Sequence, residues 1–172
     1  EAIAQGADFV VRGEGEEPLL KLYEALRDGK DTTQLQSLTY KKNGVLVTTA
    51  DAPLIGNLDD VPMFPYELFI HPKYERGFIT SSRGCPYKCS YCSQRLLTGL
   101  SYRFKSASKV VEELSVLVND FQQKHIVFYD DNFSVKKSRV KELCDAIVGE
   151  KLHEKCTFGV QTRADNLYEE IM

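Results

Sequence analysis

Apolar positions along this chain recur with two periods, and the switches between them set the expected order of elements. Phe9, Val10 and Val11 form a short apolar run after Gly6, which predicts a buried strand preceded by the last turn of a helix. Leu19, Leu20, Leu22, Tyr23 and Leu26 follow at helical spacing as one apolar face, and Gly29 ends it. This first strand and helix read as a βα unit. From Gln36 to Thr49 apolar and polar residues alternate around Asn43-Gly44, the pair favoured at a type I′ turn, so a hairpin is expected. Pro53, Pro62 and Pro65 then remove ladder donors and mark a linker. Beyond it, Gly77 to Ser82, His125 to Phe133 and Cys156 to Thr162 read as strands. Between them lie two helical stripes: Val110, Val111, Leu114, Leu117, Val118 and Phe121, then Val140, Leu143, Cys144 and Ile147. In that register Cys144 reads as a small buried hydrophobe. The order β-α-β-α-β predicts an α/β fold with a parallel sheet and right-handed crossovers.

The composition removes several classes. The chain has 172 residues, with 22 basic and 25 acidic side chains and a net charge of −3, so no broad cationic field supports binding to nucleic acid. No run approaches the roughly 20 apolar residues of a membrane span. Without a secretory signal, the expected location is cytoplasmic. Gly13 and Gly15 lack the third glycine of a dinucleotide fingerprint, and the acidic residues Glu14, Glu16 and Glu17 suit the first turn of a helix. The chain begins as if inside a helix end and stops at Met172 as another helix is expected to start, so it reads as a fragment.

The chemistry is concentrated in Ser82-Arg-Gly-Cys-Pro-Tyr-Lys-Cys-Ser-Tyr-Cys-Ser93, which carries Cys85, Cys89 and Cys92 in a C-x3-C-x2-C spacing. Gly84 and Pro86 shape a tight loop on which three thiolates can converge. A closed iron–sulfur site takes four thiolates, so three would leave one iron without a protein ligand. Zinc is an alternative, but it needs a fourth nitrogen or sulfur donor, and His71, His125 and His153 stand at no finger-like spacing from the loop. A disulfide with a spare thiol and a reactive thiol cluster are the other readings.

This cysteine spacing resembles the signature of the radical S-adenosylmethionine (radical SAM) superfamily. The resemblance implies a [4Fe-4S] cluster on Cys85, Cys89 and Cys92, whose open iron chelates S-adenosylmethionine and cleaves it to a 5′-deoxyadenosyl radical. Tyr91 matches the aromatic position of the motif, near the adenine. The segment Ala7 to Pro18 is similar to the closing βα unit of the cobalamin-binding domain that precedes the barrel in one branch, which brings in cobalamin as a second cofactor. Tyr129-Asp-Asp131 looks like that branch's F-x-D-D-x-F pattern, and Gln161 to Asp165 like its T-R-x-D segment. By this resemblance Asp130 or Asp131 meets the ammonium of S-adenosylmethionine, and Arg163 meets its carboxylate or one of those two acids.

The expected architecture is a partial (β/α) parallel barrel of radical SAM type, preceded by the end of a Rossmann-like α/β domain and a β-hairpin. Residues 1–30 would be the C-terminal piece of a cobalamin-binding-like domain, 31–75 the hairpin and proline linker, and 76–172 the first part of the barrel. The implied reaction is methyl transfer or cyclisation on an unidentified small molecule, with electrons from a flavodoxin- or ferredoxin-like donor. The alternatives are a non-catalytic iron–sulfur or zinc module and a tRNA methylthiotransferase-like enzyme, which normally needs a second cluster-binding domain. An open sheet edge after the third strand would favour self-association.

Overall fold

The computed structural model describes residues 1–69, 71, 73, 74 and 76–167. The helix expected near Met172 lies outside the described residues. The chain divides into two compact units, Glu1–Gly56 and Asn57–Met172.

In the first unit a 3-10 turn, Ala2–Gln5, ends at Gly6 in the left-handed conformation, and β1 (Phe9–Val11) leads to helix α1 (Glu16–Arg27). The hairpin forms as expected: β2 (Leu38–Lys42) and β3 (Val45–Thr48) are joined by Asn43 and Gly44, both at positive φ. β1 is half-buried and pairs antiparallel with β2, giving one sheet in the order β1-β2-β3. The strand read as half of a βα unit is thus also the third strand of the hairpin sheet. Arg12 secures this pairing, donating to the Leu38 and Thr49 carbonyls at 2.6 and 2.7 Å and to Asp51 at 2.6 Å. The core face of α1 differs from the expected one. Pro18, Leu22 and Ala25 are buried, whereas Leu19, Leu20, Tyr23 and Leu26 are all more than half exposed. Leu22 packs with Leu38 and Tyr40, so the hairpin selects which stripe of the helix is covered.

In the second unit, β4 (Phe78–Ile79), β7 (His125–Phe128) and β8 (Thr157–Val160) form a parallel sheet in the order β4-β7-β8. Helices α3 (Ala107–Asn119) and α4 (Lys137–Gly149) supply the crossovers. Their apolar stripes, Val110, Leu114 and Leu117 on one and Val140, Leu143 and Ile147 on the other, join Ile79, Ile126 and Phe128 in one core. The unit is α/β with a parallel sheet. Ser106 caps α3, its hydroxyl accepting from the Lys109 amide at 3.2 Å. Cys144 is exposed, a correction to the buried hydrophobe read from periodicity: it lies beside Leu143 at the edge of the stripe.

The strand expected over Gly77 to Ser82 is broken. After β4 the Ser81 and Ser82 amides donate to the Asp130 side chain instead of to a neighbouring strand, which stops the ladder. The chain resumes as β5 (Ser82–Arg83), pairs antiparallel with β6 (Arg103–Phe104), and sends the cysteine loop and the short helix α2 (Gln94–Thr98) out between them. No helix among the described residues is long and apolar enough to cross a membrane.

Candidate metal centre

The cysteine loop leaves the body of the second unit at the carboxyl end of β4, the end where parallel βα folds carry their chemistry. Gly84 opens it with φ of +87°, and a Cβ there would lie 2.1 Å from the Ser101 carbonyl oxygen, so only glycine fits. Cys85 and Cys89 are partly buried and Cys92 is exposed, and all three thiols are free. A turn closed by the Cys92 amide on the Cys89 carbonyl at 3.1 Å bends the loop before α2.

Asp130 and Asp131 follow β7 and turn to different partners, as alternation along an extended chain requires. Asp130 is 1% exposed and takes four bonds from the start of the loop: the Ser81 and Ser82 amides at 2.7 and 3.1 Å, and both hydroxyls at 2.7 Å. Arg139 of α4 stands 3.7 Å from it and donates to the Ser81 and Phe133 carbonyls. Asp131 is exposed and accepts from the Gly84 amide at 2.8 Å and from Gln94 at 2.9 Å, so it holds the loop at both ends.

The segment after β8 grips the middle of the loop. Arg163 donates to the Cys89 sulfur at 2.9 Å, stacks 4.2 Å over the Tyr87 ring, and forms a two-pronged pair with Asp165 at 2.9 and 2.6 Å. Those bonds to Asp165 push the guanidinium above its ordinary pKa and hold the Asp165 carboxyl below the usual carboxylate range. Asn166, buried, donates to the Tyr87 hydroxyl at 2.7 Å and accepts from buried Asn132 at 2.8 Å.

The structure therefore brings Arg163 to Cys89, and both aspartates to the loop's backbone. Arg163 pairs with Asp165 rather than with Asp130 or Asp131. Tyr91 is 90% exposed at the loop's tip. Among the described residues no three His, Cys, Asp or Glu side chains stand close enough to hold a metal ion. The donor set nevertheless suits a cluster: three free thiols lie on one irregular loop, and one already receives a guanidinium bond. Sequence reading missed Ser81, Ser82, Arg139, Tyr87 and Asn166. Only the placement of Ser81 and Ser82 before the cysteines, and of Tyr87 among them, pointed to a role.

An uncharacterized methyltransferase of Pyrococcus horikoshii is 38% identical over 141 residues, covering 79% of this chain and 31% of its own length. The anaerobic magnesium-protoporphyrin IX monomethyl ester cyclase of Cereibacter sphaeroides is 31% identical over 169 residues, covering 93% and 28%. The fold matches the radical S-adenosylmethionine methyltransferase TsrM of Kitasatospora setae, solved with cobalamin and a [4Fe-4S] cluster bound. The TM-score is 0.75 at 21% identity, over 96% of this chain and 35% of that one. The chain is similar in sequence to these methyltransferases and cyclases and shares the fold of TsrM. It spans about a third of the length of the proteins it matches. No family model matches it.

Proposed function

We propose that this chain is part of a radical SAM enzyme in which Cys85, Cys89 and Cys92 hold a [4Fe-4S] cluster with S-adenosylmethionine at its open iron. The observation that supports this reading is the meeting of three strand ends on one cysteine loop. β4 leads into it, the acids after β7 hold its base, and Arg163 after β8 touches a thiol. When bound, such a cluster supplies the electron that cleaves S-adenosylmethionine to a 5′-deoxyadenosyl radical. The chain's own part is ligation, positioning and exclusion of water.

Asp130 has its oxygens occupied by Ser81 and Ser82 and is assigned to fixing the loop. Asp131, exposed beside Gly84, is assigned to the cofactor's ammonium. Tyr91 is assigned to the adenine side, where its exposure leaves it accessible. Arg163 is assigned to the cofactor through Cys89, because Asp165 takes the rest of its fork.

The β-α-β-α-β order of the second unit is read as the opening of a (β/α) barrel over 76–172. Residues 1–30 are read as the end of a cobalamin-binding-like domain and 31–75 as its hairpin and linker. Cobalamin is the second cofactor of the reading, and a flavodoxin- or ferredoxin-like protein in the cytoplasm the electron donor. The reaction is methyl transfer or cyclisation on a small molecule, in keeping with the methyltransferases and cyclases among the relatives. Anaerobic reconstitution with iron and sulfide tests the reading: about four irons per chain and a visible absorbance that S-adenosylmethionine perturbs are expected. Zinc retained through purification, with no response to S-adenosylmethionine, overturns it.

A further inference from the structure

We infer that Arg163, clamped between Asp165 and Tyr87, is a positioning residue that sets the reduction potential of the centre through its bond to the Cys89 sulfur. The inference rests on the proposed cluster and concerns one ligand of it. Asp165 orients two nitrogens of the guanidinium, and the Tyr87 ring supports its face at 4.2 Å. The remaining nitrogen, Nη1, is thereby aimed at Cys89, 2.9 Å away. Asn166 fixes the Tyr87 ring through its hydroxyl and is itself held by buried Asn132, so the clamp is anchored to the end of β7. Four residues from three segments thus serve to present one N–H to one sulfur.

Hydrogen bonds to ligand sulfurs and nearby charge are levers on the potential of an iron–sulfur centre. Reduction adds negative charge, which a guanidinium on a ligand sulfur favours. Arg163 therefore raises the potential, and Asp165, which partly balances its charge, moderates the rise. The third lever is position: Cys89 is the middle cysteine of the three, and the bond holds its sulfur.

The test is a mediated redox titration of the reconstituted chain, with iron content and thermal melting measured in parallel. Arg163→Met keeps the length of the side chain and removes the charge. At a fixed applied potential it should shift the reduced-to-oxidised ratio about tenfold toward the oxidised form, which is about 59 mV for a one-electron couple. Arg163→Lys should recover part of that shift, and Asp165→Asn should move the ratio the opposite way. A merely structural Arg163 would alter melting or iron content and leave the potential where it was. Four irons in Arg163→Met with an unchanged potential overturn the inference. So does failure of that variant alone to take up iron, which would make Arg163 a residue of loop structure and not of potential. Failure of the unsubstituted chain to take up iron refutes the proposed cluster instead.

Discussion

Asp130→Asn tests most directly what holds the cysteine loop to the sheet. The carboxylate is buried, with Arg139 at 3.7 Å and only 3% of that side chain exposed. The amide oxygen can keep the Ser81 and Ser82 amides, and the hydroxyls can rotate to accept from the new NH2 group. Hydrogen bonding is thus largely retained, and the main loss is the charge opposite Arg139. Removing one partner of a buried pair costs about 3–5 kcal/mol because the other charge is left uncompensated. The low end, about 3 kcal/mol, is expected here, since the arginine also donates to the Phe133 and Ser81 carbonyls. Against a domain stability of about 5–15 kcal/mol, such a variant stays folded enough to measure. The chain has no Trp, so urea unfolding is best followed by far-ultraviolet circular dichroism. Arg139→Met should be similarly costly alone, and the double variant less destabilised than the sum, with a coupling of about 1–3 kcal/mol. Additivity within about 0.5 kcal/mol would show that the two groups do not act as a pair and would refute the reasoning.

Gly84→Ala should strain the loop by about 1–3 kcal/mol through its left-handed backbone and force the new methyl against Ser101. Iron uptake should fall with little change in helix content, and an alanine variant that loads iron normally would count against the geometry. Serine in place of Cys85, Cys89 or Cys92 should reduce iron to less than half, whereas Cys144→Ser and Cys156→Ser should leave it unchanged, as measured by colorimetric iron assay. The Tyr66 phenol is pushed above its ordinary pKa of 10.0, first by burial and then by the charge of Glu113. Its contribution is therefore fully present below about pH 10 and declines as pH rises toward the folded-state value. Tyr66→Phe should flatten the alkaline fall in melting temperature and, near neutral pH, cost about 1 kcal/mol for the lost bond to the Phe78 carbonyl.

The sequence made the scaffold of the second unit legible because its helices and strands carry strong periodic burial. Val110, Leu114 and Leu117, then Val140, Leu143 and Ile147, lie in the core where their spacing put them. The Asn43-Gly44 hairpin was legible for a local reason, since its two positive φ values restrict the residues that fit. The exposed side of α1 was not, because periodicity marks a stripe without saying which neighbour covers it. The β5–β6 ribbon was hidden for another reason: its strands have two residues each and place Arg83 opposite Arg103, with no apolar alternation to announce them. At the centre the thiols were visible as spacing. The support around them was not, because Arg163 reaches Cys89 across 74 positions and Asp130 reaches Ser81 across 49. Such long-range polar contacts leave no period in the chain.

The ribbon carries a broader implication. By pairing Arg83 with Arg103, it makes the cysteine-bearing segment depart from and rejoin the protein at adjacent points. A ring closed in this way tolerates changes in length cheaply, since each doubling of a flexible loop costs only about 0.6 kcal/mol. Extra residues are therefore accommodated most cheaply after Gln94, beyond the positions that Asp131, Asn166 and Arg163 hold, while the sheet beneath keeps its own stability. Variation in that stretch then need not reopen the question of whether the protein folds.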